Sequence, residues 1–183
     1  MGVRMIRAHM NDIPQFGFAE GFGIRPMTIG EGHIWTDIVR DAEEYQEIRD
    51  EQFMETFGAD PEAIPKRCFF IINDAGEAVG TISAWYSTDF KGQDYGLIHW
   101  VAIRPAYQGK GLGKAALTYA MNCLAQWHER CWLNTDTQRI PAVTMYLNFG
   151  FEPDLDPPGA VEAWRSVRET IHHPTLERLL EGK

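Results

Sequence analysis

Val101-Ala-Ile-Arg-Pro-Ala-Tyr-Gln-Gly-Lys-Gly-Leu-Gly-Lys-Ala115 decides the reading of this chain. A β-branched strand runs into a turn, and the turn opens through Gly109, Gly111 and Gly113 onto a helix. Glycine leaves the backbone bare, so a ligand can approach the main-chain N–H groups closely. The first N–H groups of a helix lack partners, and the helix dipole is positive there. Such a place suits an anion, most often a phosphate or pyrophosphate. Arg104, Lys110 and Lys114 add positive charge in a chain that otherwise carries −9.

Two glycine loops fail against this stretch. A P-loop needs Ser or Thr after Gly-Lys, whereas Gly113-Lys114 precedes Ala115, and Gln108 stands where the first Gly belongs. The dinucleotide fingerprint G-x-G-x-x-G fails as well, because the glycines alternate strictly. Gln108-Gly-Lys-Gly-Leu-Gly113 instead resembles the acetyl-coenzyme A loop, Gln/Arg-x-x-Gly-x-Gly/Ala, of the Gcn5-related N-acetyltransferases, the GNAT superfamily. Residues Val101 to Tyr107 are similar to that family's fourth strand and its exit. A second segment, Leu133 to Phe151, resembles the family's L-x-T-x-x-x-N-x-x-A-x-x-L-Y-x-x-x-G-F, with Ala142, Tyr146, Gly150 and Phe151 in register. Arg139 replaces the usual Asn. Pro141 suits the first turn of a helix.

The resemblance covers roughly residues 22–155 and sets the expectations. It implies an α/β (α+β) GNAT fold, with a mixed, mostly antiparallel sheet of six or seven strands. That sheet is split at the family's strands 4 and 5 and flanked by helices. The division expected is an N-terminal extension (1–21), an acetyltransferase domain (22–155) and a C-terminal helical tail (156–183). The cofactor implied is acetyl-CoA, with no metal, gripped by Val101, Ala102, Ile103, Gln108, Gly109, Lys110, Gly111, Leu112, Gly113 and Lys114. The acetyl group passes to an amine by direct attack in a ternary complex. Tyr146 matches the family's tyrosine and is the general acid. Against this stands a core tyrosine on a short helix. A non-catalytic acyl-CoA binding or sensor module would carry the same loop without turnover.

The base is read from the residues themselves. His99 is the imidazole of the site region, and its ordinary pKa suits base work. Strand alternation places it with Leu97, Val101 and Ile103 on one face. A hydrogen-bonded strand histidine, with water as the base, is the competing reading. The acceptor side would be lined by the first helices, where Asp37, Asp41, Glu43, Glu44, Glu47, Asp50, Glu51, Glu55, Asp60 and Glu62 face only Arg40 and Arg49. An acidic rim attracts a cationic amine, though such a run is also an ordinary solvated face. Trp85, Tyr86 and Trp100 are candidates to wall that pocket, or simply to pack.

Composition excludes several classes. The net charge of −9 argues against a nucleic-acid partner. The longest apolar run, Cys68–Ile72, cannot span a membrane. An odd set of cysteines without C-x-x-C, and no leader-like N-terminus, suits a reduced, cytoplasmic protein. Cys123, His128 and Cys131 lack a fourth metal ligand in register, and no serine sits in a nucleophile elbow. The resemblance is also compatible with a homodimer paired through the tail. Periodicity predicts helices over 34–45, 46–57, 111–128, 140–148, 161–171 and 175–180. Strands are predicted over 3–10, 22–27, 68–73, 78–86, 97–103, 132–135 and 151–155, with a hairpin turn at Asp74-Ala-Gly76.

Overall fold

Strands and helices follow one another in mixed runs, close to the order that the apolar spacing predicts. A computed structural model describes residues 1–182. In order these are β1 (Gly2–Arg7), β2 (Phe22–Pro26), α1 (Gly32–Ala42), α2 (Gln52–Phe57), α3 (Ile64–Arg67), β3 (Cys68–Asn73), β4 (Ala78–Phe90) and β5 (Gln93–Ile103). After a 3-10 turn at Pro105–Tyr107 come α4 (Leu112–Leu124), β6 (Cys131–Asp136), α5 (Ile140–Asn148), β7 (Glu152–Pro153), α6 (Ala160–Thr170) and α7 (Pro174–Leu180). The seven strands pair in the order β2-β3-β4-β5-β6-β1-β7 and are mostly antiparallel, with β5 and β6 the parallel pair. The fold class and strand count read from the sequence therefore hold. Contacts divide the chain into two compact units.

One unit comprises Gln15–Trp85 and Ile98–Gln126. In it β2, β3 and β4 form an antiparallel meander, and Phe70, Ile71 and Ile82 are fully buried. The turn at Asp74-Ala-Gly76 forms as predicted, with Gly76 at φ +79° and Asn73 N–H donating to Glu77 O at 3.0 Å. Helix α4 buries Leu112, Ala115, Ala116, Leu117, Ala120, Met121 and Leu124. Helical spacing over 111–128 would instead set Tyr119, Cys123 and Trp127 on the face of Leu112, Ala115, Ala116, Ala120 and Leu124. Tyr119 lies at the rim, edge-on to Phe69, and Trp127 is exposed beyond the end of the helix. The helix predicted over 46–57 begins only at Gln52. Upstream, Glu43 accepts from the Tyr45 N–H and the Arg40 guanidinium donates to Ile48 O. Those side-chain bonds to backbone offer the chain an alternative to a helix.

The other unit comprises Met1–Pro14, Tyr86–Leu97 and the chain from Trp127 onward. Here the residues expected as an extension supply a strand. β1 lies antiparallel between β6 and β7, with Met5 opposite both Leu133 and Pro153. Val3, Met5 and Arg7 point inward, and Phe149, Phe151 and Trp164 are among the fully buried residues of this unit. The β4–β5 turn uses Lys91 at φ +53° and Gly92 at φ +72°, the paired left-handed residues of a type I′ hairpin. The Lys91 ammonium donates to Asp154 at 2.7 Å and Asp156 at 2.6 Å, and Arg4 pairs with Asp154 at 2.9 Å. Asp154 thus sits buried between two cations.

Removing that carboxylate leaves Arg4 without its counter-ion and Lys91 with Asp156 alone. Asp154→Ala should cost about 2 kcal/mol in urea unfolding, as losing a buried charge-assisted acceptor does. Lys91→Ala, which deletes one half-exposed partner, should cost less than about 1 kcal/mol.

Candidate active site

Strand β5 hands the chain to α4 through the loop that the sequence singled out. The Arg104 N–H donates to Val79 O at 2.9 Å, and the 3-10 turn closes with Gln108 N–H to Pro105 O at 3.2 Å. The Gln108 amide reaches back to Ile103 O at 2.9 Å, pinning the loop to the strand end. Gly109 and Gly111 then take left-handed φ values of +76° and +77°. A Cβ at either would meet nothing within 4 Å, so glycine is required there by conformation, and open space lies beside it. Helix α4 starts with no side-chain cap. Among the described residues, the N–H groups from Gly109 through Lys114 find no protein acceptor, and the first helical bond is Ala115 N–H to Gly111 O. This run of free donors at the positive end of a thirteen-residue helix is an anion cradle.

The cations of the loop divide. Arg104 is committed elsewhere, to the Asp41 carboxylate and to Ala78 O. Lys114 lies over the Phe16 ring at 5.4 Å, and Lys110 is exposed. Two lysines therefore remain to meet an anion. Gly80 on β4 faces this strand exit: a Cβ there would sit 2.8 Å from Ala102 O, so β4 and β5 approach closely only because that residue is glycine.

Sequence reasoning missed the most unusual residue of the strand. Trp100 has φ +50°, a left-handed value that costs a bulky residue roughly 1–3 kcal/mol. Side-chain alternation does not run through it. His99 packs on Phe57 at 6.0 Å, and the next residue, Trp100, packs on Trp35 at 5.2 Å. Trp35 and Phe57 are themselves in edge contact, so consecutive side chains enter one aromatic cluster. The common face expected for His99, Val101 and Ile103 therefore breaks at Trp100. No residue-type signal marks this, since tryptophan in a strand reads as ordinary.

His99 has no hydrogen-bond partner among the described residues. Burial against the rings pushes its imidazole down to about 4. Trp85 joins the cluster through Phe57 at 4.9 Å, and the indole N–H groups of Trp35 and Trp100 are buried without acceptors. The acidic stretch is partly paired, Arg40 with Asp37 and Asp50, Arg49 with Glu55. Arg40, Glu43, Glu47 and Asp50 line a polar surface cavity of about 490 Å³.

Tyr146 belongs to the other unit, in the last turn of α5. Its ring meets Phe151 edge-on at 6.0 Å, and its hydroxyl has no protein partner among the described residues. Burial raises the phenol to about 12, with Arg139 at the helix start pulling the other way. The tyrosine is thus neutral and available as a hydrogen-bond donor. Burial raises the Cys123 thiol, Cys131 is wholly buried in β6, and His128 pairs with Asp94 at 2.9 Å. Among the described residues no group of His, Cys, Asp or Glu is placed to hold a metal ion, and no helix is long and apolar enough to cross a membrane.

The acetyltransferase (GNAT) family matches residues 34–151, so the chain belongs to that family of acetyltransferases. Among solved structures it is similar to a GCN5-related N-acetyltransferase from Sphaerobacter thermophilus, at TM-score 0.70 and 18% identity over 84% of this chain and 48% of that one. It is likewise similar to a GNAT-family acetyltransferase from Colwellia psychrerythraea, at TM-score 0.64 and 11% identity over 83% and 52%. A chain of the NatC complex, bound to Gag peptide and CoA, aligns at TM-score 0.57 and 16% identity over 69% and 82%. The chain spans about half the length of the first two. No curated protein sequence matches it.

The burial of His99 has a measurable consequence. By NMR its imidazole should titrate near 4, well below an ordinary histidine. The unfolded chain takes up that proton at about 6.5. Stability is therefore fully present above about 6.5 and falls as pH drops from there toward 4. His99→Phe should flatten this part of the stability profile.

Proposed function

We propose that this chain transfers the acetyl group of acetyl-CoA to an amine by direct attack within a ternary complex. The observation that carries the reading is the run of unpaired N–H groups from Gly109 through Lys114 at the start of α4. In this reading they receive the CoA pyrophosphate, with Lys110 and Lys114 as flanking cations. The backbone of Val101, Ala102 and Ile103 lies along the acyl arm, as the family resemblance implies. A main-chain N–H there meets the thioester oxygen as negative charge develops. Holding both reactants in place supplies much of the rate.

Tyr146 serves the leaving thiolate. A phenol raised to about 12 is a poorer acid than an ordinary thiol, so its part is a strong hydrogen bond that stabilises the sulfur as the C–S bond breaks. His99 is neutral at pH 7 but too weak a base to strip an ammonium. It orients the amine or a water, and solvent carries the proton away. The carboxylates of residues 37–62 favour a cationic amine approaching that side. The proposed partner is thus a small or peptide amine, with neither nucleic acid nor membrane required.

Calorimetric titration of acetyl-CoA, CoA and ATP–magnesium, on wild type and Gly111→Asp, tests the loop. We expect micromolar acetyl-CoA binding, weakened at least about 30-fold by the substitution, or roughly 2 kcal/mol. No acetyl-CoA binding, or a preference for ATP, sinks the proposal. With an acceptor found by an amine screen, Tyr146→Phe should lower kcat about 10- to 100-fold with CoA affinity intact. His99→Gln should cost less than Tyr146→Phe. Tight CoA binding without any acetylated amine would mark a sensor module instead.

A further inference from the structure

Arg7 is 5% exposed, yet no carboxylate pairs with it among the described residues. A guanidinium removed from water is expensive unless its donors are matched by charge or geometry. Its hydrogen bonds go to carbonyl oxygens: Nε donates to His9 O at 2.9 Å, one terminal nitrogen to Asn11 O and the other to Phe149 O. Phe149 is the C-terminal cap of α5. A positive charge at that end meets the negative pole of the helix dipole and satisfies a carbonyl the helix cannot. Asp12 and Cys131 act on the guanidinium only through space.

The same turn carries Tyr146. Its carbonyl accepts the N–H groups of both Phe149 and Phe151, at 3.0 Å each. Gly150, at φ +79°, follows directly. A Cβ there would come within 2.4 Å of the Arg7 guanidinium, so the missing side chain is the space the guanidinium occupies. Gly150 thus does two things: it ends the helix, and it admits the cation that caps it.

We propose that Arg7 is a positioning residue for Tyr146, its guanidinium fixing the last turn of α5 and so the place of the phenol. This rests on the reading of Tyr146 as the group that serves the leaving thiolate. The N-terminal strand then takes part in the reaction through a residue that never touches substrate. Its reach across the sequence is long, since Arg7 and Phe149 stand 142 positions apart.

Protein labelled with 3-fluorotyrosine reports the ring directly, and Tyr146→Phe assigns its fluorine line. Arg7→Ala and Arg7→Lys should each shift and broaden that line while leaving the line of Tyr119, in the other unit, in place. Added guanidinium ion should restore it in Arg7→Ala, while CoA affinity by calorimetry changes less than about twofold. Should Arg7→Ala fail to fold, Arg7→Lys and Gly150→Ala carry the test. Gly150→Ala displaces the guanidinium from its seat and should move the same line. An unchanged Tyr146 line in folded Arg7→Lys and Gly150→Ala overturns the proposal. A line that moves, with CoA release unaffected by Tyr146→Phe for an accepted amine, keeps Arg7 as the anchor and removes only the chemical role given to Tyr146.

Discussion

Backbone amides normally find acceptors, and a stretch of them that does not is a constraint the surrounding structure must sustain. From Gly109 through Lys114 the amides point away from any protein carbonyl, and two left-handed glycines hold that path open. The supports lie on both sides. Upstream, the Gln108 amide and the Arg104 N–H tie the turn to β5 and β4. Downstream, α4 is anchored by apolar residues around most of its girth, from Leu112 to Leu124. A cradle mounted on a loose loop would relax toward water or curl onto itself. This one is clamped between a strand and a buried helix.

The strand that feeds the cradle carries its own strain. Trp100 adopts a backbone conformation that tryptophan disfavours, and neighbouring rings hold it there: Trp35, and through it Phe53 and Phe57. The same cluster makes His99 a neutral imidazole at physiological pH. Packing, strand geometry and proton chemistry are thus settled together by one group of aromatic side chains. In the other unit, burial likewise keeps Tyr146 protonated. For both groups, burial in apolar surroundings moves the titration further from neutral pH.

What the sequence made legible was local. Glycine spacing located the loop, because left-handed backbone without strain requires glycine. Asp74-Ala-Gly76 announced its turn, and Pro141 with the spacing after it announced α5, with the observed bounds Ile140–Asn148. The left-handed Trp100 was invisible, since packing and not residue type enforces it. The irregular path at 43–51 was hidden for a related reason. Its residues are adequate helix formers, and particular bonds, among them those of Glu43 and Arg40, hold them otherwise. The seat of Arg7 could not be read either. Gly150 was recognised as part of a motif, but the guanidinium it admits comes from the far end of the chain.

The place of β1 bears on how the protein is made. A ribosome delivers residues 2–7 well before their partners, residues 131–136 and 152–153. Contacts so distant in sequence close slowly, because a long loop must be ordered before they return any stability. Strand β1 therefore waits for that later stretch with its apolar Val3 and Met5 unsheltered. The meander β2-β3-β4, by contrast, joins residues no more than about 50 positions apart. Maturation should run from the meander and the glycine loop outward, and the proposed Arg7 cap on the Tyr146 turn closes once β1 meets β6 and β7.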